Sequence, residues 1–273
     1  MKALLNIDRR IIYIILFIAL AIPLINPLGI PVAVGLTTNA FYKLVEDLPN
    51  GSLVLMSMDV SPSGAPDVFP NAVAAANHMI KKGHKAIILG FWEQGVPFST
   101  QIMQQFVDAG YVYGTDVLNL GYVAGAESAI QSMAQDIAGT FPVDYLGRRT
   151  ADFPMMQGVK DINDIDIILE FATGDPGFNA YLRQVIEPYP GVQYAVAVVT
   201  VSFPGLMPYF ASGQVKGALQ GLRGAAEYEI LNGIPGQGAA RMDAQSLGHI
   251  VIIAFIILGN LAYFVSKSTE KKK

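Results

Sequence analysis

Hydrophobic positions along the chain fall into three regimes. Ile11 to Leu28 reads IIYIILFIALAIPLINPL and carries no charge, and Leu247 to Val265 reads LGHIVIIAFIILGNLAYFV with His249 as its one basic residue. Between them, from Ser52 onward, short apolar runs alternate with stretches whose apolar residues recur every three or four positions. A helix of about 18 residues covers about 27 Å, close to the hydrocarbon thickness of a bilayer. The two ends therefore predict transmembrane helices over 11–31 and 246–266, with short segments 1–10 and 267–273 outside them. Pro23 and Pro27 predict a kink or an end to the first helix, and Pro31 keeps its exit extended. A cleaved signal peptide is the competing reading, because Arg9 and Arg10 precede the run and Ala19-Leu20-Ala21 looks like a cleavage signature. That signature lies inside the apolar run, which continues beyond it. The competing reading of the second run is a buried core helix. Its length and the lysines after it favour a span, with Tyr263 and Phe264 near the interface.

The middle, 32–245, predicts one α/β domain entered through a tether over Val32 to Gly51. Strands are expected over 52–60, 85–92, 116–123, 164–172 and 193–201, each a short, nearly continuous apolar run. Helices are expected between them. One is opened by Pro70 with a stripe of Ala72, Val73, Ala76, Met79 and Ile80, and one by Pro97 with Ile102, Met103, Phe106 and Val107. Another runs from Ala126 to Gly139, and one from Phe178 to Ile186. Two more follow at 205–211 and 214–231, and Ile234 to Ala240 reads as a flexible linker. Strands that alternate with helices and are apolar on both faces imply a mostly parallel sheet covered on both sides. The fold class is thus a Rossmann-like three-layer domain flanked by two membrane helices.

Charge then sets orientation. The chain has 273 residues, 52% hydrophobic and 15% charged, against about 25% charged in soluble domains. Lys2, Arg9 and Arg10 stand against Asp8 at one end, and Lys267, Lys271, Lys272 and Lys273 against Glu270 at the other. Basic flanks favour the cytoplasmic side, and two spans return the chain to its starting side. The expectation is a plasma membrane with both termini cytoplasmic and the acidic middle extracytoplasmic. An acidic body is unsuited to nucleic acid, and the absence of cysteine excludes disulfides and thiolate chemistry.

Candidate chemistry is sparse. Ligands of such sheets bind beyond the carboxyl ends of the strands. The residues placed there are Asp59 and Ser61, Trp92 and Glu93, Tyr122 and Glu127, Asp175, and Ser202. The set is acidic and aromatic and suits a cation, an amine or a polar solute better than a phosphate. Ordinary loop and N-cap residues give the same composition. Asp59, Glu93, Glu127 and Asp175 could hold a hard cation only by converging in space, so no metal and no cofactor is assigned. No G-x-G-x-x-G, P-loop or G-x-S-x-G pattern is present. His78 and His84 flank one helix end rather than the strand ends, so a His-based triad has no place and no catalytic residue is assigned. His84 could instead stabilise that helix's C-terminus. Asp161, Asn163, Asp164 and Asp166 resemble a calcium loop but break its pattern at Ile165, which leaves a polar turn entering a strand. Asn50-Gly51-Ser52 fits a glycosylation sequon and, better, a tight turn.

Gly217, Gly221 and Gly224 fall along one side of the helix expected over 214–231. Glycines cost about 1 kcal/mol each in a helix interior, which close packing against the domain's own sheet or a neighbouring subunit would offset. The runs AAEYEILNGIPG, MDAQSLGHIVIIAFIILGN and NIDRRIIYIILFIALAIPL resemble a family of prokaryotic membrane proteins with the same layout of N-terminal span, α/β body and C-terminal span. The resemblance implies topology and a prokaryotic membrane setting, and brings no activity or site residues. Three functions compete: a structural or interaction subunit of a membrane complex, as a homo-oligomer or with other membrane subunits; a membrane-tethered binding domain for a polar solute or cation; and an enzyme without a short motif.

Overall fold

The computed structural model describes residues 8–30, 32–234 and 236–270. Lys2, Pro31, Pro235 and the lysines at 271–273 lie outside them. The chain forms two compact units, one built from both ends (1–32 with 237–273) and one from residues 33–236.

The larger unit holds a six-stranded sheet, and every strand pair is parallel. Its strands are β1 (Leu53–Asp59), β2 (Lys85–Gly90), β3 (Val117–Tyr122), β4 (Ile167–Ala172), β5 (Tyr194–Val198) and β6 (Gly217–Gln220). They lie in the order 3-2-1-4-5-6, which is the doubly wound order. Alternation along the strands sends Val54, Met56, Met58, Leu169 and Phe171 into one apolar layer, and Leu55, Ile168 and Val196 into the other. The first layer is covered by α2 (Leu36–Glu46), α3 (Ala65–Lys82), α4 (Val96–Asp108) and α9 (Gly221–Asn232). The second is covered by α5 (Glu127–Gln135), α6 (Ile137–Thr140), α7 (Phe178–Tyr181, continued as a π turn to Ile186) and α8 (Phe203–Ala211). The expected three layers and parallel sheet are present.

Several boundaries differ from expectation. The helix expected from Pro70 begins at Ala65, because Pro66 already sits in its first turn and Val68 extends the buried stripe. The helix expected from Ala126 to Gly139 breaks at Asp136, whose carboxylate instead accepts from Gly139 N at 2.8 Å and starts α6. The tether expected over 32–51 contains α2, anchored by Phe41 and Val45. The helix expected over 214–231 is two elements, because Gly217 to Gln220 pair with β5 as a sixth strand. Asn50-Gly51 is a turn with Gly51 at φ +85°, and Asp161 to Asp164 form a reciprocal capping box before β4.

The smaller unit comprises α1 (Arg9–Ile25) and α10 (Gln237–Glu270). Gly248 lies against Leu20, and Ile12 and Leu16 share a groove with Val251, Ile252 and Phe255, so the two helices run antiparallel. Asp243, 2% exposed, accepts three successive amides, from Leu28, Gly29 and Ile30, at 2.7, 2.9 and 3.1 Å. Among the described residues one helix is long and apolar enough to cross a membrane, α10 over Gln237–Phe264. The first expected span is shorter than its apolar run. α1 has 17 residues with Pro23 inside it and stops at Asn26, which gives about 25 Å against a hydrocarbon layer of about 30 Å. The linker expected over 234–240 is helical from Gln237 onward.

Candidate functional site

In an open sheet of this order the crevice for a ligand lies where the winding reverses, here between the carboxyl ends of β1 and β4. The chain fills that place with its own side chains. Thr173 Oγ1 accepts from Ser61 N at 2.8 Å and lies 3.0 Å from Ser61 Oγ, which in turn lies 3.1 Å from Ser63 Oγ. A Cβ on Gly64 would stand 2.5 Å from the Thr173 methyl, so glycine there lets the β1–α3 loop close onto β4. The indole edge of Trp92 lies over Gly174, 3.5 Å from where a Cβ would be.

The eight residues expected at the strand ends part company. Asp175 and Ser202 come together with Asn179 around a depression of about 230 Å³ between the ends of β4 and β5. Glu93 is exposed on a 3₁₀ turn after β2. Tyr122 and Glu127 stand at the β3 edge. Glu127 is held by Arg183 Nε and Nη2 at 2.8 Å each and by Gln184. Those bonds, the Arg183 pair first, lower its carboxyl to about 2. Arg183 reaches this acidic and aromatic set from the π turn, a pairing 56 residues apart in sequence. Asp59 is not at the surface at all. Burial raises its carboxyl to about 6, against the lowering effect of bonds from Ser57 Oγ (2.7 Å) and from the amides of Phe91 (2.6 Å) and Trp92. Among the described residues no three of His, Cys, Asp and Glu gather as a metal site, so Asp59, Glu93, Glu127 and Asp175 do not meet the condition for holding a cation.

The three glycines face the domain's own atoms, Gly217 and Gly224 backbone and Gly221 side chains. A Cβ on Gly217 would run into the backbone of Phe41, one on Gly224 into Leu219, and one on Gly221, at φ +45°, into Asp67 and Thr200. Their small size is used for packing inside the domain.

Sequence reading missed how the acids are used. Asp67, on α3, accepts from Leu222 N and Thr200 N, both at 2.7 Å, and so closes the N-terminus of α9. Glu227, 3% exposed, accepts from Gly35 N and Thr38 Oγ1 at 2.9 and 2.6 Å and closes α2, while Arg223 balances its charge. Helix N-termini that could hold an external anion thus hold internal carboxylates. Two further acids, Asp59 and Glu170, lie inside the sheet with Ser57, Tyr181 and Tyr194. The visible signal for Glu170 is a charge in the middle of the apolar run DIDIILEFA.

The histidines are structural. His78 Nε2 lies 2.8 Å from Glu46 and its Nδ1 2.8 Å from Tyr228 Oη, with Tyr42 stacked on the ring at 4.5 Å. This carboxylate–imidazole–hydroxyl chain resembles a relay, but the Tyr228 hydroxyl is buried between α2, α3 and α9, where no substrate reaches it. His84 Nε2 meets Val45 O at 3.1 Å, tying α2 to the end of α3 rather than stabilising α3's own carbonyls. No protein-family model and no curated protein matches this chain.

Proposed function

We propose that this protein is a membrane-anchored α/β domain that serves as a structural or interaction subunit of a membrane complex. In this reading α1 and α10 together form the anchor, in the plasma membrane of a prokaryote, with both termini cytoplasmic and residues 32–245 outside. The observation that carries it is the outward face of the terminal helix pair. Phe17, Ile18, Leu24, Ile253, Ile257 and Phe264 are all exposed on it, Phe17 at 72% and Phe264 at 65%. Contiguous exposed apolar surface on that scale demands a lipid or protein cover. Asp243 supports the same reading, because it satisfies the three amides where α1 ends, which hydrocarbon could not. The interaction role rests on what the domain lacks. Among the described residues two of the four strand-end acids, Asp59 and Glu127, are tied up by internal partners, and no three of His, Cys, Asp and Glu gather as a metal site. Mass measurement after extraction in mild detergent tests this role: the reading expects a homo-oligomer or a complex with other membrane subunits, and a strictly monomeric, partner-free particle overturns it.

The second reading, a tethered binding domain for a polar solute or cation, draws on the depression lined by Asp175, Asn179 and Ser202. A solute screen by thermal unfolding tests it. It expects a stabilising compound whose effect is lost in Asp175→Asn, since ligand bound only to the native state raises its stability.

A further inference from the structure

One polar cluster has no part in anchoring or in the strand-end depression. Ser57 on β1 stands opposite Glu170 on β4 in the sheet register, with Asp59 two residues further along the same face. The Tyr194 hydroxyl, on β5, donates to one Glu170 oxygen. The Tyr181 ring, on α7, stacks on the Tyr194 ring with 5.7 Å between centroids. All five residues are fully buried, in the layer that also holds Leu55, Phe91 and Phe141. The charged and titratable groups acting on Glu170 are Asp59 from β1 and Tyr194 from β5, and Glu170 acts in turn on Tyr181 from α7. Among the described residues α5, α6 and α8, which close the layer, bring no buried polar residue to it. No lysine, arginine or histidine is among the groups acting on Asp59, Glu170, Tyr181 or Tyr194.

Two carboxyls that share one buried face without a cation do not both hold a charge. Their hydrogen bonds decide which one does. Asp59 accepts from Ser57 Oγ at 2.7 Å, from the Phe91 amide at 2.6 Å and from the Trp92 amide, and three donors stabilise a carboxylate. Glu170 accepts from Tyr194 alone, and its Oε1, like Tyr181 Oη, has no hydrogen-bond partner. An ionised Glu170 would place charge on a bare oxygen in an apolar layer. A proton on that oxygen removes the charge and needs no space. We propose that Glu170 keeps a proton at neutral pH beside an ionised Asp59, which makes the centre of the sheet a pH-sensitive lock that weakens once the proton leaves. The electrostatics agree: burial first, then the Asp59 charge, push the Glu170 carboxyl well above its ordinary value against the bond from Tyr194, whereas burial raises Asp59 only to about 6. With the proton in place the fold binds one proton more than the unfolded chain. Stability therefore falls as pH rises above the ordinary glutamate value of about 4.5, until the folded carboxyl itself ionises. Asp59 adds a slope of the same sign that ends near pH 6, so above that pH the slope belongs to Glu170.

Infrared spectra and urea unfolding of the intact chain in mild detergent test the lock, with unfolding followed by Trp92, the single tryptophan. Wild type at pH 7 should show the carbonyl stretching band of a protonated carboxyl, and Glu170→Gln should lack it. The ratio of the wild-type unfolding constant to that of Glu170→Gln should grow about tenfold per pH unit between pH 6.5 and 8, as the linked release of one proton requires. Asp59→Asn removes the neighbouring charge, so its band should be lost at least one pH unit lower than in wild type; this variant carries the test if Glu170→Gln does not fold. Absence of the band from wild type at pH 7 overturns the proposal. So does a band or a pH slope that Glu170→Gln leaves unchanged, or a band that titrates in Asp59→Asn as in wild type. None of these outcomes touches the anchoring of the terminal helices.

Discussion

Gly217 has no space for a side chain, because β6 passes directly over the backbone of α2 at Phe41. Gly217→Ala should therefore cost about 2 kcal/mol, as overpacking of a core does. Gly191→Ala, with nothing within 4 Å of the new carbon, should leave stability unchanged within about 0.5 kcal/mol; urea unfolding of both variants compares them. His78 makes a prediction about pH. Burial lowers the His78 pKa below its ordinary value, and the bond from His78 followed by that from Lys82 lowers Glu46 to about 2. An imidazole kept neutral in the fold binds fewer protons than in the unfolded chain, so its contribution is complete above the unfolded pKa of about 6.5 and shrinks as pH falls below it. Glu46 has the same sign at lower pH, its contribution being lost as pH falls from about 4.5 toward 2. Wild-type Tm should thus fall more between pH 7 and pH 5 than that of His78→Gln, which has no proton to gain; equal slopes would refute the assignment. The sequence shows that His78 is away from the strand ends. It does not show that Tyr228, 150 residues on, completes its bonding.

At the scale of elements, periodicity located most of the domain. Strands β1 to β5 and helices α3, α4, α5 and α8 stand where apolar runs and three-to-four-residue stripes put them. The failures are physically coherent. β6 has four residues, one of them glycine, and no local pattern separates it from a helix; pairing with β5 makes it a strand. α2 carries Thr37 and Thr38 and only a short apolar stripe, so its helicity comes from packing Phe41 and Val45 onto the sheet and from the cap that Glu227 supplies. The terminal pair gives a prediction at this scale. Asp243→Ala would leave three amides without their acceptor, and a hydrogen bond to a charged group contributes about 1.5–3 kcal/mol. Hydrogen exchange in detergent should then show Leu28, Gly29 and Ile30 losing protection by at least about a hundredfold, with the α/β domain unaffected. Unchanged protection would show that the carboxylate does not hold that loop.

For the whole molecule, the test of anchoring is physical separation. Alkaline carbonate should fail to release the intact chain from membranes, while a chain lacking α10 should be released. Protease added outside intact cells should cut within 32–245 and spare the C-terminal lysines. Release of the intact chain, or cleavage of the tail with a protected middle, would refute the proposed topology. What the sequence by itself determined is the class of structure. Strands apolar on both faces must be buried on both faces, which requires crossover helices and parallel pairing. Strand order, the sixth strand, and the fate of the acids were decided only by tertiary structure. Asp59, Asp67, Glu170 and Glu227 look alike in the sequence, as carboxylates in or beside apolar runs. Each acquires its role from partners brought within about 3 Å by folding, as when Asp67 meets an amide 155 residues away. Hydrophobic periodicity is a local property of the chain, whereas the partner of a buried charge is a property of three-dimensional proximity alone.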